Sequence, residues 1–276
     1  MPEESRDSMF ETIDEYRMDG FNVTGNLYYA GTKPASTHII DTGDGLIMLD
    51  PGYDQLASLV LDNMDKLGLD VRDIKYIVHS HGHIDHMGAA KRFKELSGAR
   101  TVIGEADKDY ANGIRDLSYA KELGLEYDTP FEPDILVNEG DELICGSTKI
   151  ICRHTPGHTE GTMSYFFNVD CENGRTLTAA THGGIGINTM SRSFLNKYGL
   201  PLSLRDEFLK GLDEMRKETV DVFIPNHQDQ WDTIGRYNRL LKGEKDVFID
   251  RTSWPAYLDM AEQRIRQMLK EEENEI

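Results

Sequence analysis

The chain is short of positive charge: 30 Lys and Arg face 49 Asp and Glu, a formal net charge of −19. That balance argues against nucleic-acid binding, because phosphate recognition leaves a basic face as its footprint. Cysteine is scarce too. Cys145, Cys152 and Cys171 form no CxxC pair and would leave one over if two were joined, which suits a reducing compartment and three buried small hydrophobes. No apolar run reaches membrane-spanning length, and the start Met1-Pro2-Glu3-Glu4-Ser5-Arg6-Asp7 has no basic beginning and no apolar h-region. A cytoplasmic protein that engages no membrane is the expectation. No GxSxG elbow supplies a serine nucleophile. Core material, by contrast, is plentiful: 38% of 276 residues are hydrophobic, enough for one large domain with additions. Residues 1–19 are expected to form an N-terminal surface segment or an arm touching another subunit, and 20–276 one domain closed by a C-terminal helix.

Histidine is concentrated rather than scattered. His81-Gly82-His83-Ile84-Asp85-His86 places four groups that bind zinc well within six residues, after an apolar run at Ile74, Ile77 and Val78 that reads as a buried strand. On a helix, side chains two apart point about 200° away from each other, so His81 and His83 converge only from an extended or turned backbone. Gly82 is expected where that backbone bends. Asp85 and His86 then face a neighbouring position, and two metals about 3.5–4 Å apart are a known clamp for an attacking oxygen. An exposed loop of solvated histidines is the competing reading.

The motif runs on into Met87-Gly88 and has companions. Residues 41–52 include Leu46-Ile47-Met48-Leu49-Asp50-Pro51-Gly52; later come His154-Thr155-Pro156-Gly157-His158-Thr159-Glu160-Gly161 and Ile224-Pro225-Asn226-His227. Together they resemble the HxHxDH signature, the Asp-x-Gly turn, the HTPGHTxG segment and the last histidine of the metallo-β-lactamase superfamily, over residues 20–230. Asn26-Leu27-Tyr28-Tyr29-Ala30-Gly31-Thr32, Ser97-Gly98-Ala99-Arg100 and the second site's two histidines and aspartate are most similar to the third subclass of metallo-β-lactamases and its non-lactamase relatives.

The resemblance implies an α/β fold, an αββα sandwich with two central mixed β-sheets flanked by helices. It implies two Zn²⁺ per chain, the first on His81, His83 and His158 and the second on Asp85, His86 and His227. A metal-bound hydroxide would open a cyclic amide or ester of a small molecule, with Asp85 orienting the water and passing a proton to the leaving group. A thioester or lactone hydrolase is the alternative, and a non-catalytic metal-binding protein is the alternative of another class. A flavodiiron enzyme would carry glutamate where His83 stands. The chain departs from the family at Thr178-Ala179-Ala180-Thr181-His182-Gly183-Gly184, where many relatives carry a bridging aspartate. His182 falls at or beside that position, and metal ligand and supporting residue are both open readings. Asp50 is either a support beneath the metals or an ordinary turn aspartate. His154 is expected to be a supporting or buried residue.

The rest of the chain alternates strands and amphipathic helices. Residues 21–49 read as hairpins; Asp54 is expected to cap a helix carrying Leu56, Leu59, Val60, Met64 and Leu67 that ends near Gly68. A second helix is expected from Asp85 or His86 through Leu96 to Gly98, between strands at 74–79 and 99–103. Residues 105–134, with Tyr110, Tyr119 and Tyr127, read as a wall or lid over the site or as a surface helix burying its tyrosines. Strands follow at 142–144, 149–153, 162–169 and 175–180, the last pair joined by a turn at Glu172-Asn173-Gly174. Residues 183–201 read as irregular, Ser203 as the cap of a helix, 220–224 as a strand, and 228–252 show no pattern. From Ser253 a final helix carries the stripe Tyr257, Leu258, Ala261, Ile265, Met268 and Leu269, expected to pack on its own domain, with a homo-oligomer as the other use.

Overall fold

Apolar residues alternating with turn residues put the first strands into hairpins. In this computed structural model, which describes residues 10, 12–171 and 174–274, they are β1 (Phe21–Thr24), β2 (Leu27–Tyr29), β3 (His38–Asp41) and β4 (Leu46–Leu49), antiparallel in order. Parallel pairing needs a crossover, and helices supply it. The chain passes over α1 (Ala57–Lys66) to β5 (Ile74–Val78) and over α2 (Ile84–Met87) and α3 (Ala90–Ser97) to β6 (Arg100–Gly104). It then passes α4 (Lys108–Ala111) to reach β7 (Ile135–Val137), completing a seven-stranded mixed sheet.

The second sheet is built from longer antiparallel strands: β8 (Glu142–Cys145), β9 (Thr148–His154), β10 (Met163–Asp170) and β11 (Thr176–Thr181). After α5 (Arg192–Tyr198) and α6 (Leu204–Met215), β12 (Val222–Phe223) joins parallel to β11 as its fifth strand. Two helices follow, α7 (Thr233–Leu241) and α8 (Ser253–Asn274). Among the described residues no helix is long and apolar enough to cross a membrane.

Three apolar layers hold the sandwich together. Ile40, Ile47, Val78 and Val102 of the first sheet meet Ile150, Tyr165, Phe167 and Ala179 of the second. Outside the first sheet, Val60 and Met64 of α1 and Phe93 of α3 cover Ile39, Met48 and Ile77. Outside the second, Phe208 and Leu212 of α6 and Trp254, Tyr257 and Leu258 of α8 cover Phe166, Ala180 and Phe223. Each fully buried side chain of this size stabilises the fold by roughly 1.5–3 kcal/mol. The stripe on α8 therefore packs on its own chain, and so does Phe10, whose ring lies 5.2 Å from Tyr53 and 5.3 Å from Tyr16.

Several local expectations fail for identifiable reasons. Asp54 does not cap α1; it takes Arg92 in a two-bond ion pair (2.7 Å each), and the chain enters the helix through a 3-10 turn. The helix expected from Asp85 to Gly98 is two, α2 and α3. Ser203 donates to Glu207 rather than capping α6. Residues 183–201 contain α5, capped by Ser191, and 228–252 contain α7. β7 lies just past the tyrosine-bearing segment, too short at three residues to show alternation. The acidic residues 1–9 and the turn residues Glu172 and Asn173 lie outside the described residues, although β10 and β11 pair as expected on either side of that turn. Cys145 and Cys152 are buried, Cys171 is half-buried, and all three are free.

Candidate metal centre

Strand β5 ends at Val78 and the chain leaves the sheet as a loop, so His81 sits in a bend and His83 on extended backbone, with their rings 4.6 Å apart and nearly perpendicular. Gly82 has no side chain for a steric reason rather than a conformational one. A Cβ there would lie 2.7 Å from that of Tyr110. The turn after β9 uses Gly157 at φ +141°, where a side chain would also strike Phe208, and it returns His158 to 4.6 Å from both rings. One donor atom from each of His81, His83 and His158 lies within 4.8 Å of the others.

A second group adjoins the first. Asp85 Oδ2 is 3.2 Å from His86 Nε2 and 3.3 Å from His227 Nε2, and the two nitrogens are 3.0 Å apart. His81, Asp85 and His86 also lie within donor reach of one another. The structure thus brings all six expected residues to one place, where β5, β9 and β12 end.

The opposite ring nitrogens decide what this cluster can do. His81 Nδ1 faces Gly183 O (2.7 Å), His158 Nδ1 faces Gly186 O (2.7 Å), His227 Nδ1 faces Pro34 O (2.7 Å) and His86 Nδ1 faces Asp50 Oδ2 (3.0 Å). Carbonyl and carboxylate oxygens only accept, so these partners assign the proton to Nδ1 and leave the Nε2 lone pair toward the cavity. His81 Nε2 is buried without a hydrogen-bond partner. His86 and His227 would oppose two lone pairs at 3.0 Å, an arrangement that needs a proton or a cation between them. The residues fit a metal.

Electrostatics divides the two groups. Burial, aided by neighbouring histidines, pushes His81 and His83 well below the usual imidazole range and His158 down to about 4, so all three stay neutral and ligand-competent. Burial opposes charge on His86 too, but the carboxylates of Asp85 and Asp50 outweigh it and raise that residue to about 10. Asp85 is held below the ordinary carboxylate range: burial works against this, and His86, His227 and His83 prevail.

Beneath the cluster, Asp50 adopts φ +52° and accepts from Ser80 N (2.7 Å), Ser80 Oγ (2.7 Å) and His86 Nδ1 (3.0 Å). It supports the ligands, resolving the two readings of this turn. Asp107 is a support that sequence reasoning missed. Its buried carboxylate accepts from Gly82 N (2.8 Å), Gly161 N (2.7 Å) and Thr159 Oγ1 (2.6 Å), tying the loop of His81 and His83 to the loop of His158. Burial, partly offset by these bonds, pushes it up to about 6. Within the charged run Glu105-Ala106-Asp107-Lys108-Asp109 nothing in the sequence distinguishes it.

Two histidines considered as supporting or ligating residues from the sequence lie off the cluster. His182 is buried beside Phe208, Trp254 and Tyr257 (ring centroids 6.2–6.4 Å), accepts from Gly184 N at Nδ1 (3.3 Å), and belongs to neither donor group. His154, expected to be buried or supporting, is exposed at the end of β9 and bonds Glu160 O through Nε2 (2.9 Å). By alternation it shares the inward face of Thr148, Ile150 and Cys152, but it is the last residue of the strand and is exposed there.

The donors open into a cavity of about 290 Å³ whose walls include Tyr53, Tyr119, Leu123, Ile185, Asn188 and Gln230. The segment 105–134 therefore forms a wall of the site, as one of its two readings had it. A larger hollow of about 570 Å³ beside Gly113 and Tyr127 contains none of the histidines and offers no comparable chemistry.

A two-sheet sandwich flanked by helices, with a histidine-rich donor cluster where strands of both sheets end, defines a metal-dependent hydrolase. The chain belongs to the metallo-beta-lactamase superfamily, whose family model matches residues 30–170. It is similar to the hydroxyacylglutathione hydrolase GloC of Haemophilus influenzae, 28% identical over 202 residues that cover 73% of this chain and 88% of that one. Among solved structures it resembles BJP-1, a subclass B3 metallo-beta-lactamase of Bradyrhizobium japonicum, with a TM-score of 0.84 and 24% identity over 95% of this chain and 98% of that one. FEZ-1 of Legionella gormanii gives a TM-score of 0.85 at 24% identity over 94% and 98%. At these identities the two structures show the fold.

Proposed function

We propose that the chain is a dinuclear zinc hydrolase that opens a cyclic amide or ester of a small molecule. His81, His83 and His158 would hold one ion and Asp85, His86 and His227 the other. The observation that carries this reading is that His81, His86, His158 and His227 are pinned through Nδ1, so that their Nε2 atoms turn toward a shared space. Bound zinc supplies a Lewis acid for a carbonyl and lowers the pKa of water from about 15.7 toward about 7. Asp85, held ionised beside His86 and His227, is placed to orient a water by accepting its hydrogen bond and then to pass a proton to the leaving group. Asp50 and Asp107 keep the ligand loops in place and lie outside the lining of the cavity.

A thioester or lactone is the second reading, favoured by the similarity to a hydroxyacylglutathione hydrolase. Metal content per chain on gently purified protein, followed by hydrolysis of a chromogenic cephalosporin, a lactone and a thioester, tests both. Two zinc ions with selective turnover support the proposal and choose its substrate. Metal with no turnover would move the assignment to a non-catalytic metal-binding protein, and no stoichiometric metal would move it to a structural role.

A further inference from the structure

We infer that Glu272, near the end of α8, is a positioning residue of the metal centre: with Arg205 of α6 it clamps the segment 185–192, which seats His158 and walls the cavity. This rests on the metal-binding part of the reading above and names a residue on which that site depends. The segment follows β11 through Gly183, Gly184 and Gly186 and lies directly against the ligand. Gly186 O accepts from His158 Nδ1 (2.7 Å), and Thr189 Oγ1 donates to His158 O (2.7 Å). A Cβ at Gly184 would lie 2.5 Å from His158 Cδ2, and one at Gly186 2.6 Å from Cε1, so the ring rests on this backbone. Asn188 Nδ2 donates to the Tyr119 hydroxyl (2.9 Å), and both residues line the cavity. A shift of the segment therefore moves a ligand and part of the cavity wall together.

Backbone pairing does little to hold it. Its own backbone bonds close local turns, Met190 N to Ile187 O (2.9 Å) and Ser191 N to Asn188 O (3.3 Å), and among the described residues none reaches a sheet. Side chains do the fastening. Arg205 Nε donates to Met190 O (2.7 Å), and Arg205 Nη2 meets both oxygens of Glu272 (3.0 and 2.8 Å). Glu272 Oε1 also accepts from Arg192 N (2.7 Å). Of the glutamates Glu271, Glu272 and Glu273, the flanking two are exposed and Glu272 turns inward. Arg205 is buried in the first turn of α6, where a cation opposes the helix dipole and loses its hydration. Among the described residues no other carboxylate pairs with it. Without Glu272 the guanidinium is driven toward solvent, and Met190 O loses its donor. The same helix reaches the cavity nearer its start: Tyr257 OH donates to Gln230 Oε1 (2.9 Å), and Gln230 lines the cavity shortly after His227. α8 thus braces the chain beside a ligand of each donor group.

The test uses the full chain and two readouts that need no turnover. In hydrogen exchange of the metal-free protein, Glu272→Ala is expected to speed residues 185–192 by about tenfold or more and to leave 79–88 and β10 within about twofold. In competition against a chromophoric chelator, the same variant is expected to hold one zinc equivalent about tenfold more weakly than the wild type. Glu272→Gln keeps the length and an acceptor oxygen for Arg192 N but not the charge; it is expected to fall between the two and carries the comparison if Glu272→Ala does not fold. Glu273→Ala, exposed one position on, is expected to match the wild type. The inference is overturned if either readout is unchanged, or if exchange rises evenly over the whole chain, which would mark a general loss of stability. If both readouts change as expected while no lactam, lactone, ester or thioester is hydrolysed, the brace stands and the hydrolase reading falls. A wild-type chain that binds no zinc overturns both.

Discussion

The two donor groups of this centre sit side by side yet are prepared differently. His81, His83 and His158 are neutral imidazoles whose protonation burial suppresses, so they offer lone pairs without further adjustment. Asp85, His86 and His227 combine a carboxylate with two histidines, and His86 retains a proton because Asp85 and Asp50 overcome its burial. One group is ready for a cation; the other holds a proton where a cation would go. The lesson is that ligand type alone does not set a metal site, because the buried charges around it decide which protonation state the ligands start from.

The largest expected effect breaks the second group alone. Asp85→Asn keeps the shape and removes the charge, so turnover is expected to fall by about 10²–10⁴ while one metal equivalent remains on the first group. Steady-state kinetics with metal analysis checks this, and near-wild-type turnover would show that Asp85 is misassigned.

A smaller effect is expected where the first group is clamped. Asp107→Ala leaves Gly82 N, Gly161 N and Thr159 Oγ1 without their acceptor and is expected to cost about 2–4 kcal/mol in urea unfolding of the metal-free chain. Asp107→Asn keeps an acceptor oxygen and is expected to recover part of the loss. Equal stability of all three proteins would remove Asp107 from the account of how the loops are joined.

The smallest effect lies outside both groups. His182→Ala is expected to leave metal stoichiometry unchanged and to cost about 1–2 kcal/mol at neutral pH from lost packing on Phe208 and Trp254. Loss of one metal equivalent would instead make His182 a ligand. The same variant tests acid sensitivity. Burial holds His38 at about 3, and burial with His158 holds His182 at about 3, whereas the unfolded chain takes up these protons below about 6.5. Their contribution is present above about 6.5 and is lost as pH falls toward 3, at up to about 1.4 kcal/mol per pH unit for each residue. Removing His182 should flatten that slope between pH 6 and 4. An unchanged slope would mean that its ring is protonated in the folded chain.

The sequence by itself determined the sandwich and the six donors through the family resemblance its motifs carry, and the strands and the non-helical turn at His81 and His83 through short-range rules. Strands of four to eight residues show their period, and imidazoles two apart must leave the helix to converge. It also carried the stripe of α8 and the hairpins before Asp50. Tertiary structure decided what depends on neighbours distant in the chain. Asp54 resembled a helix cap until Arg92, 38 positions later, took its carboxylate. Asp107 was one acid among several until folding placed it between Gly82 and Gly161, and His182 could not be located before α6 and α8 surrounded it. The Nδ1 partners that fix the tautomers of His81, His158 and His227 are carbonyls of Gly183, Gly186 and Pro34, backbone groups with no side-chain signature at all. Local periodicity writes the elements into the sequence, whereas the protonation and aim of each ligand arise only when buried charges and carbonyls from separate segments meet.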